Sequence, residues 1–425
     1  MPKVYAESYG CSSNLADREI ALGILKSKGF SLSEHPKDSD LNIIFTCSVK
    51  VPTVNRMISR IQYFTSLKKP LIVAGCLPKT RRNVVERINP QASLVSPDWI
   101  EKIGEVASAT VKSRKVVLLE DYKKPKLNLP RCRKNPVVAI VQIGRGCTSN
   151  CSFCCEPYRG KLFSYPLDGI VKEVENAVKE GYKEVWLTSL DTGCYGLDIR
   201  TNLPELLKKV CEIDGNFLVR VGMANPFHVK KILEELLESY KNKKIYKFLH
   251  IPVQSASDHV LKLMNRGYTY REFLRIVKSF RDEFPLGTIA TDIIVGFPGE
   301  SEKDFKKTLE FVRKVKPDVV NISKFGLHPN TLATKMKKLE ESVVNRRSKK
   351  LFRIVQKVQL DANKKWLGWK GVILVNEKGK NNTLVGRNFA YKPVVISGKR
   401  NLIGNFVKVK VVDVKSNYLL GEHKA

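Results

Sequence analysis

Residues 138–154 read VAIVQIGRGCTSNCSFC, an apolar run long enough for one buried strand, followed at once by a loop that spaces Cys147, Cys151 and Cys154 as Cys-x3-Cys-x2-Cys. A short, continuous apolar run bounded by glycine is the pattern of a strand covered on both faces, which belongs to a parallel sheet. Downstream the pattern repeats. Strand patterns at 137–143, 184–188, 217–221, 247–252, 288–295 and 318–324 alternate with amphipathic helical patterns such as 168–180, 203–212, 229–238 and 302–314. Six βα units predict a partial parallel (β/α)6 barrel over 137–338, with its chemistry at the carboxyl ends of the strands. The cysteine loop follows the first of those ends.

Three thiolates on so short a loop can hold three irons of a four-iron, four-sulfur cluster and leave the fourth iron open for chemistry. A zinc site would need a fourth nearby Cys or His in a closed tetrahedron. Cys155 could supply it, but a thiolate next to Cys154 in sequence is sterically awkward.

Upstream, three more apolar runs each end in a cysteine: KVYAESYGC at Cys11, LNIIFTC at Cys47 and PLIVAGC at Cys76. Helical patterns separate them, so residues 1–121 read as an open parallel α/β sheet. Ligands of such sheets sit outside the carboxyl ends of the strands, where the three cysteines can converge. On the runs alone, cysteines filling small core positions fit as well. A basic, proline-bearing linker is expected at 122–136, a long basic helix at 339–365 with Leu351, Val355 and Val358 on one face, and a small antiparallel β-barrel at 366–425.

Composition narrows the function. Lys and Arg number 75 against 42 Asp and Glu, a formal charge of +33. That excess suits a phosphate backbone better than a neutral metabolite. Arg346, Arg347, Arg387, Lys392, Lys399 and Arg400 are the candidate RNA-binding cations, with Phe389 and Tyr391 available for stacking. With 43% hydrophobic residues the chain can bury real cores, and it contains no apolar run long enough to span a membrane. The start, MPKVYAESYGC, has no signal-type apolar stretch, so a cytoplasmic location is expected. Ten cysteines in that reducing compartment point to metal ligation and not to disulfides.

The cysteine loop resembles that of the radical S-adenosylmethionine enzymes. SYGCSSNLADRE, FTCSVKVPTVNRMI, VAGCLP, LTSLDTGCYGLDIRTNLPELL, RVGMANP, HIPVQSASDHVLKLMNRGYT, TDIIVGFPGE, NISKF and a TRAM-like closing barrel extend the likeness to the whole chain. They resemble the methylthiotransferases, in particular the archaeal and eukaryotic branch that converts N6-threonylcarbamoyladenosine at position 37 of tRNA to its 2-methylthio derivative. The resemblance implies two 4Fe-4S clusters, a catalytic one on Cys147, Cys151 and Cys154 and a second on Cys11, Cys47 and Cys76. It implies S-adenosylmethionine beside Phe153, Thr188, Ser189, Asp191, Gln254, Asp292, Gly296 and Glu300. The implied partners are the tRNA anticodon loop, an electron donor and a sulfur source; no membrane is involved, and a monomer is expected.

Some positions depart from the branch. Leu190 stands where relatives carry Glu, Ala256 replaces Gly, and HPNTLA (328–333) replaces an Arg-Pro-Gly-Thr type segment. The loop before Arg159 is one residue short. Cys132, Cys155, Cys194 and Cys211 receive no role, and His250 reads as a core histidine. Two other functions stay open: methylthiolation of a ribosomal protein side chain, and a non-catalytic RNA-binding iron-sulfur protein.

Overall fold

All six side chains of β3 (Leu41–Thr46, LNIIFT) are buried, because alternate residues face different helical layers. Ile43 and Phe45 join a core with Ile20 and Leu25 of helix α1 (Ser12–Ser27), whereas Ile44 packs with Met57, Ile61 and Phe64 of α2 (Val51–Ser66). The computed structural model, which describes residues 1–423, places this strand in a six-stranded sheet. Positions 424 and 425, the end of the segment read as a terminal barrel, lie outside the described residues. With β1 (Lys3–Ser8), β2 (Ser31–Leu32), β4 (Leu71–Gly75), β5 (Ser93–Val95) and β6 (Val117–Leu118), the order is β2-β1-β3-β4-β5-β6, every pairing parallel. Winding reverses between β1 and β3. Such a switch point opens a crevice at the carboxyl ends of the two strands.

The central strands run in sequence order: β7 (Val138–Gln142), β10 (Glu184–Thr188), β11 (Leu218–Val221), β12 (Phe248–His250), β13 (Thr288–Val295) and β14 (Val319–Lys324). A short antiparallel pair, β8 (Gly144–Arg145) with β9 (Phe163–Ser164), pinches the base of the loop after β7. The six parallel strands form two three-stranded sheets, joined through a parallel bridge between Val219 and Ile245. β12 is shorter than expected, because Pro252 has no N–H to extend the ladder.

The inner face of this arc is closed by its neighbours. Val138 and Ile140 of β7 pack against Ala16 of α1 and against Leu374, with Trp186, Leu218 and Phe406 alongside. Leu374 and Phe406 belong to a closed five-stranded barrel of β15 (Lys370–Lys378), β16 (Thr383–Arg387), β17 (Pro393–Ser397), β18 (Phe406–Val414) and β19 (Leu419–Glu422). Its pairings are antiparallel except for the closing contact of β17 with β19, which is parallel. Tyr391 of this barrel puts its ring 4.8 Å from that of Tyr246 and 5.0 Å from that of Phe248. The terminal barrel is therefore a plug for the central one and not a detachable appendage.

The segment read as a linker carries no helix or strand after β6, yet it is strapped down. Lys126 pairs with buried Asp17 of α1, and Arg131 meets Glu173 at 2.7 Å. Among the described residues no helix is long and apolar enough to cross a membrane.

Candidate active site between two cysteine trios

Cys11 caps α1 just beyond β1, Cys47 follows β3, and Cys76 opens the short helix α3 (Cys76–Thr80) just beyond β4. Their convergence has a local cause. The Asn14 side chain donates to the carbonyls of Tyr9 and Thr46, both at 2.8 Å, and so ties the ends of β1 and β3 together. Gly10, at φ +106°, lets the chain pass so close that a Cβ there would lie 2.3 Å from Cys47 Cβ. Only glycine fits both the conformation and the space.

Burial, reinforced by the neighbouring Cys11, pushes the Cys47 thiol up to about 12; burial likewise holds Cys11 and Cys76 above the usual thiol range. These thiols stay protonated at neutral pH unless a metal displaces the proton.

One carboxyl group links the N-terminal trio to the loop of the second. Cys76 Sγ is 3.8 Å from Glu156 Oε2, and Glu156 is two residues beyond Cys154. Burial raises the Glu156 carboxyl to about 7, against the hydrogen bond from Cys76. Cys155 Sγ donates to the carbonyl of Ser48 at 3.0 Å, so a cysteine without an expected role joins the two cysteine-bearing loops. Arg159 donates to the carbonyls of Cys151 (3.1 Å) and Cys154 (2.6 Å) and staples the loop from within.

From the barrel side, Thr148 Oγ1 sits 2.6 Å from His228 Nε2, and His228 Nδ1 sits 2.8 Å from Asp191 Oδ2. Asp191 Oδ1 accepts from the main-chain N–H groups of Gly193 and Asn225. Asp191, expected beside the cofactor, thus has both oxygens committed to holding the loop. Its carboxylate acts on the site through His228 and Thr148.

Asp191, Cys194 and His228 are the only described residues that bring three ligand atoms within 4.8 Å of one another. Both ring nitrogens of His228 are already bonded, so this group is a bracket. The two cysteine trios are more open than that. Thiolates around one zinc sit about 3.8 Å apart, given a Zn–S bond of about 2.3 Å, and neither trio brings its three sulfurs that close. Three free thiols on one loop, two of them buried, fit three corners of a four-iron cluster.

Other expected cofactor residues gather at the same end of the strands. Phe153 lies edge-on to Phe297 of GFPGE, with ring centroids 6.4 Å apart. Thr188 Oγ1 is 2.7 Å from Ser12 Oγ, next to Cys11, and Ser189 follows it half-buried. Gln254 holds a left-handed φ of +64°, rare for a side-chain-bearing residue, with Oε1 buried and unpartnered. Such strain persists where a site over-determines the backbone. Asp292 accepts from Asn321 (2.7 Å) and faces His250 Nε2 (3.1 Å); burial opposes its ionisation, but these two partners outweigh burial and hold the carboxyl below its usual range. His250 is therefore a polar neighbour of the site, where a core histidine was expected. Glu300 receives the N–H of Gly296 at 3.0 Å and Arg347 at 2.8 Å. Its carboxylate shapes the GFPGE turn.

Two expected RNA contacts need correction. Arg347 is 5% exposed and paired with Glu300 and Glu302; Lys392 is 3% exposed, bound to Asp318 at 3.0 Å and to Asn363 at 2.8 Å. Neither can reach a phosphate. Each pins a C-terminal element to the central barrel. Arg387 is half-buried over Tyr391, whereas Arg346, Lys399 and Arg400 are exposed.

Arg266, Asn225, Glu156, His228 and Thr148 were missed by sequence reasoning. They lie in or beside the quoted family segments, but nothing in their immediate neighbours marks them, because their partners are distant in the chain.

Comparison with known families assigns the three bodies. The Radical SAM superfamily matches residues 141–312, the uncharacterized protein family UPF0004 matches 3–96, and the TRAM domain matches 372–424. Fold and cysteine loop together define a radical S-adenosylmethionine enzyme. The chain is 40% identical over 427 residues to the probable threonylcarbamoyladenosine tRNA methylthiotransferase of Pyrococcus horikoshii, covering 99% of each. It is 35% identical over 432 residues to the threonylcarbamoyladenosine tRNA methylthiotransferase of Xenopus laevis, covering 99% of this chain and 77% of that protein. The chain belongs to the threonylcarbamoyladenosine tRNA methylthiotransferase family. Among solved structures, the radical S-adenosylmethionine methyltransferase TsrM from Kitasatospora setae shares the fold, with a TM-score of 0.57 at 15% identity over 78% of this chain and 75% of that one.

Proposed function

We propose that this enzyme converts N6-threonylcarbamoyladenosine at position 37 of tRNA to its 2-methylthio derivative, using S-adenosylmethionine, a cluster on Cys147, Cys151 and Cys154, and a second cluster on Cys11, Cys47 and Cys76. The observation that carries this reading is the contact of Glu156, two residues beyond Cys154, with Cys76 of the N-terminal trio, which joins the two cysteine-bearing regions. Clusters there would supply the one-electron chemistry needed to take the inert hydrogen from C2 of adenine, and a holder for the incoming sulfur.

The rest is the work of side chains. Arg159 and the Asp191–His228–Thr148 chain fix the catalytic loop, and the contact of Ser12 with Thr188 keeps the N-terminal trio in register with the barrel. Phe153, Ser189 and the free Oε1 of Gln254 are the groups left to touch the cofactor. The base must leave its stack to reach so enclosed a place, which a single-stranded anticodon loop allows at small cost. Arg346, Lys399 and Arg400 are the exposed cations for its phosphates.

Mass spectrometry of nucleosides from tRNA of cells with and without the gene tests the assignment. The 2-methylthio derivative is expected to disappear with the gene. An unchanged level, with a methylthio group lost from a ribosomal protein, would move the enzyme to the other substrate class.

A further inference from the structure

Arg266 follows the short helix Asp258–Leu263 and is 7% exposed. Burying a guanidinium is costly unless a counter-charge and hydrogen bonds accompany it. Its partners are unusual. One terminal nitrogen donates to Asn225 Oδ1 at 3.0 Å and to the carbonyl of Pro252 at 3.3 Å, and Nε points to the Tyr268 hydroxyl at 3.4 Å. The other terminal nitrogen donates to Cys151 Sγ at 3.2 Å. An amide, a carbonyl and a phenol are neutral, so the sulfur is the one partner able to carry the balancing charge.

The arrangement is also asymmetric. Cys147 Sγ has a main-chain carbonyl, that of Ser149, at 3.7 Å, and Arg159 spends its bonds on carbonyls of the loop. The cation is directed at Cys151. Asn225 holds the guanidinium in place and is itself tied to the loop, its side-chain N–H donating to Ser149 Oγ at 2.9 Å.

Resting on the cluster reading above, we propose that Arg266 is a positioning residue that raises the reduction potential of the cluster bound by Cys147, Cys151 and Cys154, through its charged hydrogen bond to the Cys151 sulfur. Hydrogen bonds to cluster sulfurs, net charge and burial set such potentials. One electron from an external reductant adds one negative charge to the cluster and its thiolates. A buried cation on a ligand sulfur stabilises that reduced form more than the oxidised one, so the potential moves upward. The fork of Asn225 and Pro252 contacts fixes the direction of the donating N–H, a geometry that Lys cannot copy.

The test uses full-length protein reconstituted anaerobically with iron and sulfide. Iron content and visible absorption report whether a cluster assembles, which tests the underlying reading separately. Dithionite titration followed by electron paramagnetic resonance then reads the midpoint. Arg266→Gln is expected to shift it to more negative potential, with Arg266→Lys in between. A second measurement avoids dependence on the variants folding: wild-type protein labelled with 15N-arginine is expected to show a 15N hyperfine coupling to the reduced cluster. An unchanged midpoint in a cluster-replete Arg266→Gln protein, or no arginine coupling in wild type, overturns the proposal.

Discussion

Cys147, Cys151 and Cys154 share one loop, whereas Cys11, Cys47 and Cys76 come from three strand ends that only the sheet brings together. The first trio is positioned by contacts to side chains of the central barrel, among them Arg266 and the Asp191–His228 bracket. The second is positioned by topology: β1, β3 and β4 are adjacent, and Asn14 draws the first two together. A ligand set within one loop announces itself by spacing. A set spread over a sheet does so only if the strand order is known, since the apolar runs alone fit cysteines in small core positions equally well.

The difference predicts separable failures, the largest first. Replacing Cys147, Cys151 and Cys154 together by Ala should abolish S-adenosylmethionine cleavage and remove about half the iron, if each trio holds one four-iron cluster. Full iron in that protein would leave the central loop without a cluster to lose. Cys47→Ala should act on the other half: methylthio product is lost while 5′-deoxyadenosine still forms under reducing conditions. Normal product would return Cys11, Cys47 and Cys76 to core packing, the alternative their runs allow.

Much of this fold could be read from the sequence, because buried parallel strands are written as apolar runs and helices as 3.6-residue stripes. The alternation of β3 between two helical layers is visible in LNIIFT itself. Arg347 was legible too, and was missed. It stands four residues before Leu351 on the stripe that continues through Val355 and Val358, so the helical period places it on the buried face. A run of charges (NRRSKK) hid that one of them points inward, and its partners Glu300 and Glu302 lie some 45 residues upstream. Lys392 carried no such mark, because its partner Asp318 belongs to another body of the fold.

Arg347→Met therefore tests packing and not RNA affinity. Burial raises the Glu300 carboxyl even beside this cation, so removing the cation strands a costly group. A loss of about 3–5 kcal/mol is expected in thermal or denaturant unfolding. Adding Glu300→Gln should recover part of it, since a neutral amide is cheaper to bury than an unpaired carboxylate. A double variant less stable than Arg347→Met would mean that Glu300 holds the GFPGE turn through its charge.

The smallest effect separates buried cations from exposed ones. Truncation before the terminal barrel is the wrong instrument, because Tyr391, Leu374 and Phe406 fill the central barrel and their removal would open its core. Lys399→Ala and Arg400→Ala touch only exposed side chains, so the fold and the cluster loops should stay intact. A cation that neutralises a phosphate releases a counterion, and deleting one such cation should lower the slope of log affinity against log salt by about 0.7–0.9. Arg347→Met, where it remains folded, should keep the wild-type slope, because its guanidinium is already spent on Glu300 and Glu302. Filter binding of tRNA across a salt series reads both slopes in one experiment. Equal slopes for wild type and Lys399→Ala/Arg400→Ala would place the tRNA backbone on another face, with Arg346 and the exposed side of its helix the next surface to mutate.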